Sequence, residues 1–201
     1  DNITIDTLAD LSTAGNIIFQ EDVTVKNVTG QTFNTTEKII FDYDANTTFG
    51  TSSPYSNIKH VAGPTEIYGQ LTVNSIEFGE TTIYHWVETN GDQKYTDAVI
   101  LVGASDSLEG ELELISRQGK ISFESTINSK ENYSVGLGIS LQNDDYAISL
   151  ADSVGLVNPL KYFNVYKPLK IASGCTAITT TGSQGYQDTV TIDEDVTLTS
   201  G

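Results

Sequence analysis

No apolar run in this chain lasts long before Gly, Asn or Asp interrupts it, and the runs are built mainly from Thr, Val, Ile, Tyr and Phe. β-Branched and aromatic residues favour pleated strands, and the interrupting residues favour turns. Helix signals are weak. Ile5 to Leu11 is about two turns long and ends against Ser12, Thr13 and Gly15. Asp152 is placed to cap one further turn, which Asn158-Pro159 stops near Val157. The expectation is an all-β chain of short strands.

One stretch shows how such strands are built. In Asn132 to Ala151, Tyr133, Val135, Leu137, Ile139 and Leu141 fall on every second position and share one face. The other face carries Ser134, Gly136, Gly138 and Ser140, which offer almost no side chain. Three explanations stand side by side for it: aromatics of the same chain cover the glycines, the face is small and solvated, or a second backbone approaches closely. That backbone belongs either to a second sheet or to a second copy of the chain, and the latter would make Gly136 and Gly138 a subunit contact.

Turn residues between the strands predict hairpins. Tyr84 to Glu88 and Lys94 to Thr96 flank Thr89-Asn90-Gly91-Asp92, and Asn-Gly favours a type I′ turn. Leu112 to Ser116 and Lys120 to Glu124 flank Arg117-Gln118-Gly119. Tyr133 to Leu141 and Tyr146 to Leu150 flank Gln142 to Asp145. This spacing predicts an antiparallel β-sandwich-like knob over residues 81–172. Around it lie an N-terminal fibre-like β segment, 1–80, and a C-terminal β segment, 173–201. The flanks repeat a phrase of polar, apolar, Thr, apolar: Asn2 to Ile5, Asp22 to Val25, Gln70 to Val73 and Asp195 to Leu198. No fixed period links these phrases, so the expectation does not extend to a regular solenoid.

Charge narrows function. The 201 residues carry 27 acids against ten bases, a formal net charge of −17, and Arg117 is the only arginine. Nucleic-acid binding needs basic patches for phosphate, so it is not expected. The same field repels anionic lipid, and no apolar run approaches the ~18 residues that cross a bilayer, so no membrane insertion is expected. Cys175 is the one cysteine, which leaves no intrachain disulfide. The start at Asp1 and the absence of Met suggest a processed or excised piece.

Catalytic constellations are not evident. His60 and His85 are isolated, and the parity of His85 with Ile83 and Val87 reads as structural. Gly136 and Gly138 share the spacing of a dinucleotide loop, but that loop needs a helix after it and here a strand follows. The acid pairs Asp144–Asp145, Glu111–Glu113 and Asp193–Asp195 are what 27 acids produce by chance, and Glu111 and Glu113 alternate with leucines as on a solvated strand face. The chain is read as not an enzyme and as holding no cofactor. A calcium ion is the one candidate, with oxygen ligands at alternate positions: Asp42, Asp44, Asn46 and Thr48. Thr47 stands where the helical calcium loop has its glycine, and Ser53 where it has its Glu. Five sequons, at Asn2, Asn27, Asn34, Asn46 and Asn132, barely exceed chance.

The phrases Gly69-Gln70-Leu71-Thr72-Val73-Asn74, Asp22-Val23-Thr24-Val25 and Asp195-Val196-Thr197-Leu198-Thr199 resemble those of tail-fibre and baseplate-associated proteins of tailed bacteriophages. The resemblance covers about a third of the chain and is one of style, with no diagnostic motif. It implies a viral structural protein of the virion: a homotrimeric tail-fibre, spike or decoration subunit, contacting other virion proteins and a host surface glycan. Host attachment would then use Trp86, Asn90 and Tyr95, since aromatic faces stack on sugar rings and an Asn-Gly turn is exposed. Two rivals remain, a polysaccharide depolymerase on a tailspike-like scaffold and a calcium-stabilised extracellular adhesin or surface-layer module.

Overall fold

A computed structural model of the chain describes residues 3–6, 11–14, 17–19, 23–26, 31–35, 39–41, 46–49, 58–62, 65–67, 70–73, 76–84, 86–102, 111–131, 135–143 and 145–201. Every regular element among them is a strand, and all pairing is parallel. The chain winds through three sheets in rotation.

Sheet 1 holds β1 (Ile3–Asp6), β4 (Val23–Lys26), β7 (Asn46–Phe49), β10 (Gln70–Val73), β13 (Val87–Thr89), β16 (Glu111–Ser116), β19 (Gly136–Leu141), β21 (Phe163–Val165) and β24 (Gln184–Tyr186). Sheet 2 holds β2 (Leu11–Thr13), β5 (Gln31–Thr35), β8 (Ile58–Ala62), β11 (Ile76–Phe78), β14 (Gln93–Tyr95), β17 (Ile121–Phe123), β20 (Ile148–Leu150), β22 (Leu169–Ile171) and β25 (Val190–Ile192). Sheet 3 holds β3 (Ile17–Phe19), β6 (Ile39–Phe41), β9 (Thr65–Ile67), β12 (Thr81–Ile83), β15 (Val99–Leu101) and β18 (Ile127–Ser129). Bridges from Ile127 to Val154 and from Val154 to Ile178 carry it on to β23 (Ala177–Thr179) and β26 (Thr197–Thr199). The result is a parallel β-solenoid.

This corrects the antiparallel sandwich-like knob. Each expected hairpin is a corner: β13 and β14 lie in different sheets, as do β16 with β17 and β19 with β20. Each strand pairs with the one a full coil later, as Leu112 does with Leu137 and Ile121 with Ile148. Turn residues mark a change of direction but do not set its angle, and alternation looks the same in either pairing. The short helix expected over Ile5 to Leu11 is also overturned, since Ile5 and Asp6 belong to β1 and Leu11 opens β2. The turn after Asp152 instead places Val154 in sheet 3 by bridges. The ladders cross both expected segment boundaries, with β10 paired to β13 and β22 to β25.

The sequence shows no fixed period because coil length varies. Leu71 pairs with Val87, 16 residues on, whereas Gln93 pairs with Ile121, 28 on. Only the three-residue strands must keep register; corners can bulge outward without disturbing the core.

Those strands explain the core. In β12, β14, β15, β17 and β20 the first and third residues are buried and the second is partly exposed. Each such strand sends two side chains inward, where coils stack like on like. Phe78, Tyr95 and Phe123 form one column, with ring centroids 5.2 and 4.9 Å apart. Phe19 stacks on Phe41 at 5.0 Å. Full burial of each large side chain contributes about 1.5–3 kcal/mol, and one chain closes the core by itself. On the outer face of sheet 2, Lys94 Nζ lies 3.2 Å from both Glu77 and Glu124, one coil to either side. Arg117 pairs with Glu88, and Lys170 with Asp193 at 3.2 Å. Lys94 thus sits between two acids of the neighbouring coils and offsets their repulsion.

Burial of proton-bearing groups gives the rod an alkaline limit. Burial pushes the Cys175 thiol up from 9.0 to about 11, reinforced by the nearby Asp152 charge. It pushes the Tyr186 phenol up from 10.0 to about 12, and holds Tyr95 above the ordinary range. The folded chain keeps protons that the unfolded chain releases, so this stabilisation is complete below pH 9 and is lost as pH rises through 11 and 12. Urea midpoints are therefore expected to decline above pH 9, and Cys175→Ala should remove the first part of the decline. A midpoint unchanged between pH 9 and 11 would contradict this.

Candidate functional site

The corners are not alike. From sheet 2 to sheet 3 the chain needs two or three residues at 79–80, 96–98, 124–126 and 151–153. From sheet 3 to sheet 1 it uses 84–86 after β12, 130–135 after β18 and 155–162 after Val154. The sheet 1-to-sheet 2 corner after β19 is also long, at 142–147, so length is not confined to one edge, and 155–162 is the longest connection lying wholly within the described residues. Loops held by a rigid scaffold are where contact surfaces concentrate.

The connection at 155–162 is the best defined. Asn128, at the middle of β18 and 6% exposed, turns its side chain into this corner. Its Oδ1 accepts the N–H groups of Val157 (3.1 Å) and Asn158 (3.4 Å). The Gly155 N–H donates to Ile127 O (2.7 Å), Ser129 N–H to Asn158 O (3.1 Å) and Lys161 N–H to Val135 O (2.9 Å). Gly155 has φ of 66°, and a Cβ there would collide with the Thr179 carbonyl. So fixed, the loop holds Leu156 and Val157 in water, 55% and 75% exposed. A preorganised apolar tip loses little entropy on binding. The Asn158-Pro159 turn was legible in the sequence; Asn128, which fixes the loop, gave no signal.

Trp86 lies on the same edge, between β12 and β13, and is 40% exposed. It is three coils from Leu156, roughly 15 Å along the rod. Asn90 sits at the opposite end of β13, partly exposed, with its carbonyl accepting the Gln118 N–H at 2.6 Å. Tyr95 is a correction. It is fully buried in the aromatic column, with its hydroxyl donated to Gln93 Oε1 at 3.0 Å, and it offers no face to a sugar. The structure therefore does not assemble Trp86, Asn90 and Tyr95 into one surface.

The bare strand face is answered in part within the chain. A Cβ on Gly136 would enter the ring of Tyr162, which lies directly over it. Gly138 is buried between Glu113 and Asn164 of the neighbouring strands. Of the calcium candidates, Asp42 and Asp44 lie outside the described residues, while Asn46 and Thr48 belong to β7. Among the described residues no three His, Cys, Asp or Glu side chains converge. His85 and Asp144 lie outside the described residues; Glu113 is exposed, and Asp193 pairs with Lys170. No helix among the described residues is long and apolar enough to cross a membrane. Comparison with protein-family models, with curated proteins and with solved structures finds no match.

Proposed function

We propose that this chain is a structural rod of a fibre or spike, with no catalytic role, and that its sheet 3-to-sheet 1 edge makes contact with a host surface. The observation that supports it is the nine-strand ladder, with Trp86 and the Leu156-Val157 tip exposed on its sheet 3-to-sheet 1 side. At the spacing of paired strands, nine coils extend about 40 Å. Solenoids use such length to span distance and present extended lateral surface. The acidic surface suits uncharged partners, and an aromatic with an aliphatic pair suits the apolar faces of sugar rings. The phage-fibre resemblance points to a virion and a homotrimer. The closed single-chain core favours the second reading, an adhesin stalk at a cell surface, because coils stacked within one chain need no partner chains to complete them.

Binding to a panel of purified cell-surface polysaccharides tests the contact edge. Trp86→Ala and the double change Leu156→Ser/Val157→Ser should each weaken binding about tenfold with the melting temperature unchanged. Glu113→Ala, on the outer strand face, should leave it intact. Equal loss in all three would remove the edge as the contact, and release of reducing sugar ends would assign a depolymerase instead. Light scattering separates the two displays: a fixed mass three times the 21.7 kDa chain supports the trimeric fibre, and a single-chain mass supports the adhesin stalk.

A further inference from the structure

Tyr162, Asn164 and Tyr166 stand at alternate positions along β21 and its ends, while Phe163 and Val165 between them are buried in the core. The three therefore share the outer face of sheet 1. β21 has a paired strand on either side, β19 and β24, so this is a sheet face and not an open edge. Backbone bonds carry the ladder past both ends of β21. Leu137 N–H donates to Tyr162 O (3.0 Å), and Tyr166 N–H to Ile139 O (3.1 Å). The two tyrosines are thus about 13 Å apart along one extended segment.

The flanking strands give way beneath these side chains. A Cβ on Gly136 would meet Tyr162 Cζ and both of its Cε atoms at nearly equal distances. An approach to the rim of a ring meets two ring carbons equally at most, so the face of Tyr162 lies on the Gly136 backbone. Asn164 folds the opposite way, with Oδ1 2.6 Å from where a Cβ on Gly185 would stand. Gly138, the β19 partner of Asn164, adds no side chain between them. Tyr162, Asn164 and Tyr166 all stay partly exposed. A ring laid flat on glycine turns its second face away from the sheet, and the glycines keep the floor beside it low. Charge is balanced here in an otherwise acidic chain. Lys161 and Lys167 bracket the segment, and Glu111 and Glu113 occupy the β16 positions paired with Gly136 and Gly138.

We infer that Tyr162, Asn164 and Tyr166 form a binding strip for a neutral oligosaccharide. Sugar rings stack their apolar faces on the two tyrosines, and their hydroxyls bond to the Asn164 amide between. A single sugar reaches one tyrosine, whereas a short chain spans both. Balanced charge gives no advantage to acidic sugars, which the field of the whole chain repels. Gly136 is the positioning residue, because its missing side chain is what lets the Tyr162 ring lie flat. The inference rests on the reading of the rod as a glycan-contacting surface. It extends that surface from the edge onto sheet 1, since the strip begins where the 155–162 connection ends.

Calorimetric titration of the full chain with cellohexaose and mannohexaose, against glucose, mannose and hexagalacturonate, is the test. At least one neutral hexasaccharide should bind, and its monosaccharide should bind about tenfold more weakly or less. Tyr162→Ala and Tyr166→Ala should each weaken binding about tenfold, and Tyr162→Phe should keep it. Gly136→Ala leaves every sugar-contacting group in place. It should weaken binding about as much as Tyr162→Ala does, and should add nothing in the Tyr162→Ala background. Melting curves taken alongside separate loss of the site from loss of the fold. Failure of both neutral hexasaccharides to bind, preference for hexagalacturonate, or additive losses from Gly136→Ala and Tyr162→Ala would each overturn the inference. Losses confined to Trp86→Ala and to Leu156→Ser/Val157→Ser would overturn it as well, while leaving the contact edge intact. Losses confined to the tyrosine and glycine variants would support the strip and remove the edge.

Discussion

Replacing Gly119 with alanine will destabilise the rod far more than the same change at Gly136, although both sites forbid a Cβ. At Gly119 the new methyl would run into Gly91 and Asp92 of the coil beneath, and both obstacles are backbone. That backbone is fixed: the Gly91 carbonyl accepts the hydroxyls of Thr89 (2.6 Å) and Ser116 (2.7 Å), and the Gly119 N–H donates to Ser116 Oγ (3.0 Å). Relief requires two coils to separate at a corner, so a cost of about 3 kcal/mol is expected. At Gly136 the obstacle is the Tyr162 ring, a side chain that can rotate outward. About 1 kcal/mol is expected there, and Gly136→Ala should become neutral in a Tyr162→Ala background. For a chain of this length these costs correspond to roughly 10 °C and 3 °C in melting temperature. Equal costs, or a Gly136 cost that survives loss of the ring, would show that the corner and the face are equally adaptable.

Gly119 also shows where the sequence stopped speaking. Arg117-Gln118-Gly119 was legible as a turn, and the alternation through Leu137, Ile139 and Leu141 gave the inward face correctly, since all three are buried. What a turn connects was not legible. A hairpin and a solenoid corner use the same Gly and Asn residues, and they differ only in whether the next strand pairs with its predecessor or with one a coil away. That choice is made by stacking: Tyr95 on Phe78 and Phe123, at separations of 17 and 28 residues, far beyond any local pattern. Unequal corners hid the period in the same way. Of the candidate site, Trp86 read equally well as a core residue or as a face for a sugar ring, and only the structure shows it 40% exposed. Tyr95 was misplaced because a strand tyrosine reads alike whether its hydroxyl meets water or a buried glutamine. The phrase Thr-x-Gly-x-Gln-x-Tyr-x-Asp-x-Val occurs twice, from Thr89 to Val99 and from Thr180 to Val190, and its alternate spacing was the signal that would have revealed the buried glutamine-tyrosine pair.

Gln93→Leu should be the most damaging single change that keeps side-chain volume, costing about 3 kcal/mol, while Gln184→Leu costs about 1 kcal/mol. Gln93 is fully buried. Leucine would take a donor from Ile115 O, bound at 2.7 Å, and would leave the Tyr95 hydroxyl without an acceptor where water does not reach. Removing the other half of that pair should recover part of the loss. Tyr95→Phe in the Gln93→Leu background deletes the stranded hydroxyl, and about 1 kcal/mol should return, although Tyr95→Phe alone is destabilising. Gln184 makes the matching bonds, its Nε2 to Thr199 O (2.7 Å) and its Oε1 from the Tyr186 hydroxyl (2.9 Å), but both residues are only partly buried, so water replaces what leucine cannot supply. Urea titrations of the four variants decide it. Equal costs for the two glutamines would mean that the clamp acts through the chain's own geometry and not through burial. No recovery in the double variant would locate the loss at the carbonyls. The expected asymmetry, together with recovery, identifies burial as what makes Gln93 indispensable and leaves Gln184 replaceable.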